Sequence, residues 1–347
     1  MPPSSAAALR PRGSLAKDKF SEHFKPLRSQ AYNDANPSSR GVPTASHHSL
    51  RSIEWSPLGT LVATGSADKT LRVWNPERNT VRHSTELKGH SAAIEKVAFN
   101  PVKEAELASI SNDGVVKIWD VRTKACVNEI KGLGDANALA WAPDGTSLLA
   151  GNRSGELFQL SPTQPAAISA HKQPTGTTQM AFCWSGEKIF LPIRDGRIRI
   201  LSYPDLEPIY HLNHATEPGE SAEFMLKGHT AACLTVELSP TGKYLATGGA
   251  DSIVAIFDTR DWLCQRTITR LSGPVRSISF TWDGSYVVGG CEDGSGLEIV
   301  HTETGEYVHT FKTAGPCEAV AWAPTRYCLA YSDLGILRII GVDAERK

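Results

Sequence analysis

The chain has little of several things, and each scarcity removes a class of function. No apolar run approaches the roughly eighteen residues a membrane span needs. The opening stretch MPPSSAAALRPRG holds only a four-residue apolar run, 6–9, too short for a secretory h-region. We therefore expect a soluble protein with no membrane contact. With Ser, Ala and Arg and no acid before Asp18, the same stretch has the composition of an organellar transit peptide, a minor alternative. Cysteine is sparse and unorganised. The seven residues lie at 126, 183, 233, 264, 291, 317 and 328 with no C-x-x-C, which argues against a disulfide framework or a zinc site and for a reducing compartment. Catalytic signatures are missing too. There is no G-x-S-x-G elbow and no G-x-x-x-x-G-K-[ST] loop, and GLGDAN from 132 lacks the third glycine of a dinucleotide loop. His47-His48 have no Cys or acid at ligand spacing, and the sequon 152–154 falls in a strand turn. No catalytic residue, cofactor or metal is expected.

The net charge of −1 hides an asymmetry. Residues 1–51 carry eight Lys/Arg against three acids, a surplus of five. Of the 36 bases and 37 acids in the chain, that leaves 28 and 34 for the remainder, a deficit of six. A body of that sign is a poor match for phosphate, so direct reading of nucleic acid by the folded part is not expected. The basic arm fits a solvated tail, with weak, non-specific RNA contact as the sharper alternative.

What is abundant is punctuation. Gly 29 and Pro 21 separate short β-branched runs, the pattern of an all-β chain. An aromatic-x-Pro-x-Gly signature recurs at Trp55, Phe99, Trp141, Trp184, Leu238, Phe280 and Trp322, with spacings of 44, 42, 43, 54, 42 and 42. A period in the low forties, with four short strands per unit, is that of a WD-repeat blade, so a seven-bladed WD40 β-propeller over 46–347 is expected. The long interval places an insertion in the polar stretch 214–225. The seventh unit runs out after its third strand. A segment within 20–32 is expected to supply the fourth, the rest of 1–45 being a flexible basic arm and connector.

A turn acid also recurs, as Asp68, Asp113, Asp195, Asp251, Asp293 and Asp333, and Gly-His or its relict precedes it at His90, His171 and His229. In the second unit His90, Ser109, Asp113 and Trp119 form a complete set, expected to be one buried hydrogen-bonded lock. The fifth unit keeps His229, Thr247 and Asp251 but has Phe257 in place of the Trp. Asp333, in a unit without the other partners, is expected to matter less than Asp113. Trp55, Trp141, Trp184 and Trp322 hold one place in the repeat, which reads as core rather than as a methyl-lysine cage.

Trp119-Asp120-Val121-Arg122, partly repeated as Phe257-Asp258-Thr259-Arg260, resembles the motif by which some propellers dock on the adaptor of cullin-RING ubiquitin ligases, with Arg122 and Arg260 as contact candidates. A basic residue in an exposed turn is the plainer reading. Beyond the generic repeat, WSPLGTLVATGSADKT (55–70), IWDVRTKACV (118–127), LSYPDLEPI (201–209), TGKYLATGGADSIVAIFD (241–258), RLSGPVRSISFTWDGSYVVGGCEDG (270–294) and ETGEYV (303–308) are similar to the WD-repeat third subunit of the THO complex, part of the TREX mRNA-export assembly. The resemblance implies a nuclear, non-catalytic scaffold linking transcription elongation to mRNA packaging and export. It implies larger helical THO subunits as direct partners, with a DEAD-box RNA helicase and mRNA reached through the assembly. Two rivals remain: a substrate receptor of a cullin-RING ligase, and a chromatin reader with a ligand in the central channel. The long N-terminal arm and the 214–225 loop depart from the family.

Overall fold

The recurring punctuation becomes turns between strands that are buried on both faces. The computed structural model describes residues 13–32, 50–77, 84–211 and 222–342. Among these, seven four-stranded antiparallel sheets succeed one another around a central channel, forming a seven-bladed β-propeller. Within each blade the strands are a to d from the channel outward. The second strand is buried along its whole length in blade 1 (Val62–Ser66) and blade 6 (Tyr286–Cys291), because neighbouring blades cover both faces. The outermost strands need polar residues, as in Ala125–Ile130 of blade 2 and Cys264–Ile268 of blade 5, which are mainly exposed. The core is therefore distributed between blades. Ile110, Ile118, Leu139, Trp141 and Phe158 form one such layer, joining blades 2 and 3.

The glycine of the signature closes the turn from strand a to strand b. Gly145 sits at φ +68°, where a side chain would strain the backbone and run into Asn100 of the preceding blade. That Asn uses its amide instead, donating to the Gly145 carbonyl at 2.9 Å and tying blade 2 to blade 3. A second repeated device lies at the other end of strand a. In blades 1, 2, 3, 5 and 6 the a–b register slips by one residue, leaving Arg51, Glu95, Asn137, Leu234 and Arg276 as the bulged residues. All five line the channel, since a bulge re-aims the side chain it frees.

The last blade is completed from the front of the chain. Gln30–Tyr32 pairs antiparallel with Ile336–Ile340 and forms the fourth strand of the sheet that contains Val320–Trp322 and Leu329–Asp333. The segment ahead of it is not a free arm over its described part. Residues Lys17–Phe24 form helix α1, which buries Phe20 and Phe24 completely against Tyr286, Phe311, Trp322 and Tyr327 of blades 6 and 7. The expectation of a flexible arm is corrected there: two aromatic side chains at i and i+4 lie on one helix face, and each contributes roughly 1.5–3 kcal/mol when buried. Residues 1–12 and 33–49 lie outside the described part.

The inserted stretch of blade 4 begins as a small two-stranded ladder, Tyr210–His211 with Ala222–Glu223, before the outer strand Met225–Lys227. Its base is anchored by Arg199, itself buried, whose guanidinium bonds Glu223 at 2.5 Å and Gln173 at 2.6 Å. Residues 212–221, the heart of the expected loop, lie outside the described part.

Candidate functional site

Two kinds of site were legible in the repeat: the locks that hold strands b and c to the loop before each blade, and the channel they surround. The lock of blade 5 closes. His229 Nε2 lies 2.9 Å from Thr247 Oγ1, and Nδ1 lies 3.1 Å from Asp251 Oδ1. The other carboxylate oxygen of Asp251 accepts the Thr230 N–H at 2.9 Å. The His229 side chain is fully buried and that of Asp251 is 7% exposed. Burial pushes the Asp251 carboxyl up, but the Thr230 N–H and His229 outweigh it and hold the group below its usual value.

The lock of blade 2 does not close, which corrects the expectation of a single network. His90 Nε2 bonds Ser109 Oγ at 2.6 Å, and the Trp119 indole donates to the same oxygen at 2.8 Å. Asp113 is exposed and takes the hydroxyls of Ser111 and Ser91 (the latter at 2.6 Å), while His90 Nδ1 is buried with no partner. The cause is one position. Ser111 occupies the register place of Gly249 in blade 5. A Cβ on Gly249 would stand 2.5 Å from His229 Nδ1 and closer still to Asp251 Oδ1. Blade 2 carries that Cβ and its hydroxyl captures the acid. Burial then lowers His90 to about 4, with Lys117 nearby adding to the effect.

Three further positions depart from the repeat-based reading. In blade 1 the Trp74 indole donates to Thr64 Oγ1 at 3.0 Å, a partial lock whose strand LRVW at 71–74 parallels VKIW at 116–119. His171 is no lock residue: it lies within the outer strand Ser169–Lys172, its Nε2 3.2 Å from Ser169 Oγ. Asp333 is 3% exposed, accepts the N–H groups of Ala314 and Gly315 at 2.9 and 3.2 Å, and pairs with Arg338 at 2.7 Å. It is better held than Asp113, the reverse of the expected order.

The Trp-Asp-x-Arg tail explains itself locally. Asp120 accepts the N–H of Arg122 at 2.9 Å and pairs with its guanidinium at 3.3 Å; Asp258 likewise accepts the Arg260 N–H at 2.9 Å. The aspartate caps the turn between strands c and d. Of the four repeat tryptophans, Trp55, Trp141 and Trp322 are buried core residues, whereas Trp184 is 48% exposed. Trp55 and Trp141 donate to carbonyls of the preceding blade, Ala321 and Ala98, but Trp184 turns to Ser239 of the following one.

The channel encloses about 1090 Å³. At one mouth three arginines are matched by acids, Arg51 with Glu95, Arg276 with Glu292, and Arg153 with Asp135 at 3.4 Å, while Arg194 also lines the channel. Deeper, burial raises Glu237 to about 8, against the Phe280 N–H that favours its charged form, while Glu54 adds repulsion. Among the described residues no cluster of three or more His, Cys, Asp or Glu has the arrangement of a metal site.

The geometry can be set beside known proteins. The model of the WD domain, G-beta repeat, matches residues 41–75, 81–120, 221–258 and 262–295. The chain is 32% identical over 308 residues to THO complex subunit 3 of Arabidopsis thaliana, covering 85% of this chain and 93% of that protein. This chain belongs to the THO complex subunit 3 family. The match spans nearly all of that relative. The chain is also 30% identical over 301 residues to WD repeat-containing protein AAC3 of Dictyostelium discoideum, of which it spans 61%. In structure it superposes on the β-propeller domain of Cps50 (Swd1) from Myceliophteria thermophila with a TM-score of 0.72 at 18% identity, covering 84% of this chain and 96% of that one, a likeness of fold.

Proposed function

We propose that this chain is a non-catalytic interaction scaffold of a nuclear THO complex, acting in the coupling of transcription elongation to mRNA packaging and export. The observation that carries the reading is the near-full-length match to THO complex subunit 3. Its direct partners are the other THO subunits; a DEAD-box helicase and mRNA are reached through the assembly. The charge arrangement supports a protein rather than an RNA ligand, because three of the arginines at the channel mouth are matched by acids and the body after residue 51 has six more acids than bases. The ligase reading rests on the motif alone, whose Asp120 is accounted for by capping its own turn.

The test is RNA binding by the purified full chain at physiological salt. Weak binding that falls steeply as salt rises, and weakens further when Arg10 and Arg12 are replaced by glutamine, fits a scaffold whose phosphate contact is confined to the basic N-terminal stretch. Tight, sequence-dependent binding unaffected by salt would overturn it.

A further inference from the structure

Helix α1 is held in place by a cluster of hydroxyls and one carboxylate at the edge of blade 6. Asp283 accepts Tyr327 OH at 2.6 Å, Thr281 Oγ1 at 2.6 Å and Ser285 Oγ at 2.8 Å. The chain entering the helix is clamped onto this cluster. Ser14 Oγ lies 3.0 Å from Ser285 Oγ, the Leu15 N–H donates to Tyr327 OH at 3.0 Å, and Tyr286 OH donates to the Leu15 carbonyl at 2.5 Å. Lys17 completes the clamp by pairing with Glu306. Ser14 is exposed, and in sequence it has Arg10 and Arg12 before it and Leu15 after it. Upstream arginines with a following apolar residue suit the acidic substrate groove of an arginine-directed serine kinase.

We propose that Ser14 is a phosphorylation site whose modification releases α1 from blades 6 and 7. In the step, the bond from the γ-phosphorus of ATP to its β,γ-bridging oxygen breaks and a bond to Ser14 Oγ forms. ADP leaves with the electron pair, and the hydroxyl proton passes to the catalytic carboxylate of the kinase. The product places nearly two negative charges next to Ser285, one hydrogen bond from the Asp283 carboxylate, and like charges at that separation repel. Attractions to Arg10, Arg12 and Lys17 and to the helix N-terminus oppose this, and the exchange rate of the helix reads the balance. Lys17 is already neutralised by Glu306, and the helix N-terminus carries Asp18 in its first turn while Ser14 Oγ points to Ser285. Release uncovers the aromatic cleft of Tyr286, Phe311, Trp322 and Tyr327 that Phe20 and Phe24 fill.

The experiment phosphorylates the full-length chain with an arginine-directed kinase and magnesium ATP, maps the phosphate by mass spectrometry and follows hydrogen exchange. The expected result is phosphate on Ser14 and amide exchange across Lys17–Phe24 accelerated about tenfold or more, with the other blades unchanged. Ser14→Ala should abolish the acceleration. Asp283→Asn, which keeps an acceptor but removes the charge, should reduce it to about threefold or less. No phosphate on Ser14, or phosphate there with unchanged or slower exchange, would overturn the proposal.

Discussion

Blade 5 and blade 2 both carry a histidine, a hydroxyl and an acid at the lock positions, yet only blade 5 joins them into one chain. His229, Thr247 and Asp251 form one continuous chain, whereas His90 and Asp113 sit in the corresponding places and bond to different groups. The difference lies in a residue that belongs to neither motif, Gly249 against Ser111. A histidine and an acid at repeat spacing define a lock only when the strand between them leaves room for both. Blade 7 makes the converse point. It has no histidine, yet its acid is the best buried of the three, because two backbone N–H groups and Arg338 take over.

That comparison can be tested by substitution. Asp333→Ala should have the largest effect, about 3 kcal/mol, since it leaves the Ala314 and Gly315 N–H groups without their acceptor and the Arg338 guanidinium without its counter-charge. Gly249→Ser should follow at about 2 kcal/mol by forcing His229 and Asp251 apart, and Ser111→Gly in blade 2 should not reproduce that loss. Urea melts of the variants at neutral pH supply both numbers.

Acidification comes next. His90 is neutral in the fold, with its pKa lowered to about 4, while in the unfolded chain it titrates near 6.5. As pH falls through 6.5 the unfolded chain takes up the proton first, so stability present above that pH is lost progressively down to about 4. By pH 5 the loss should be on the order of 1–2 kcal/mol. In His90→Gln the difference in unfolding free energy between pH 7 and pH 5 should shrink by that amount; an unchanged difference would show that His90 is not the group responsible. The smallest effect belongs to Asp113→Ala. Its carboxylate is exposed and bonded to two serine hydroxyls, so the melt should move by less than about 1 kcal/mol. A loss as large as that of Asp333→Ala would mean that the split lock closes in solution.

The sequence reading succeeded where the physics is local and repeated. The aromatic-x-Pro-x-Gly turns, the spacing and the buried strand runs each repeat in most blades, so a single period pointed to seven blades. It was weaker where one position decides. Ser111 and Gly249 are both ordinary at the end of a strand, and only the space between His and Asp distinguishes them. Helix α1 lies outside the repeat in a polar, basic segment, and its signal was just two aromatics, Phe20 and Phe24, four residues apart. Asp333 was undervalued because its partners are backbone groups, which leave no mark in a sequence motif.

The central claim is that this propeller is a subunit of a THO assembly, and co-purification tests it most directly. The tagged full-length chain should be recovered from nuclear extract at moderate salt, after nuclease treatment, with its companions identified by mass spectrometry. Recovery of the other THO subunits in stoichiometric amounts, unchanged by Arg122→Ala, is the predicted result. A cullin adaptor or nucleosomes in their place, with no THO subunit present, would contradict it.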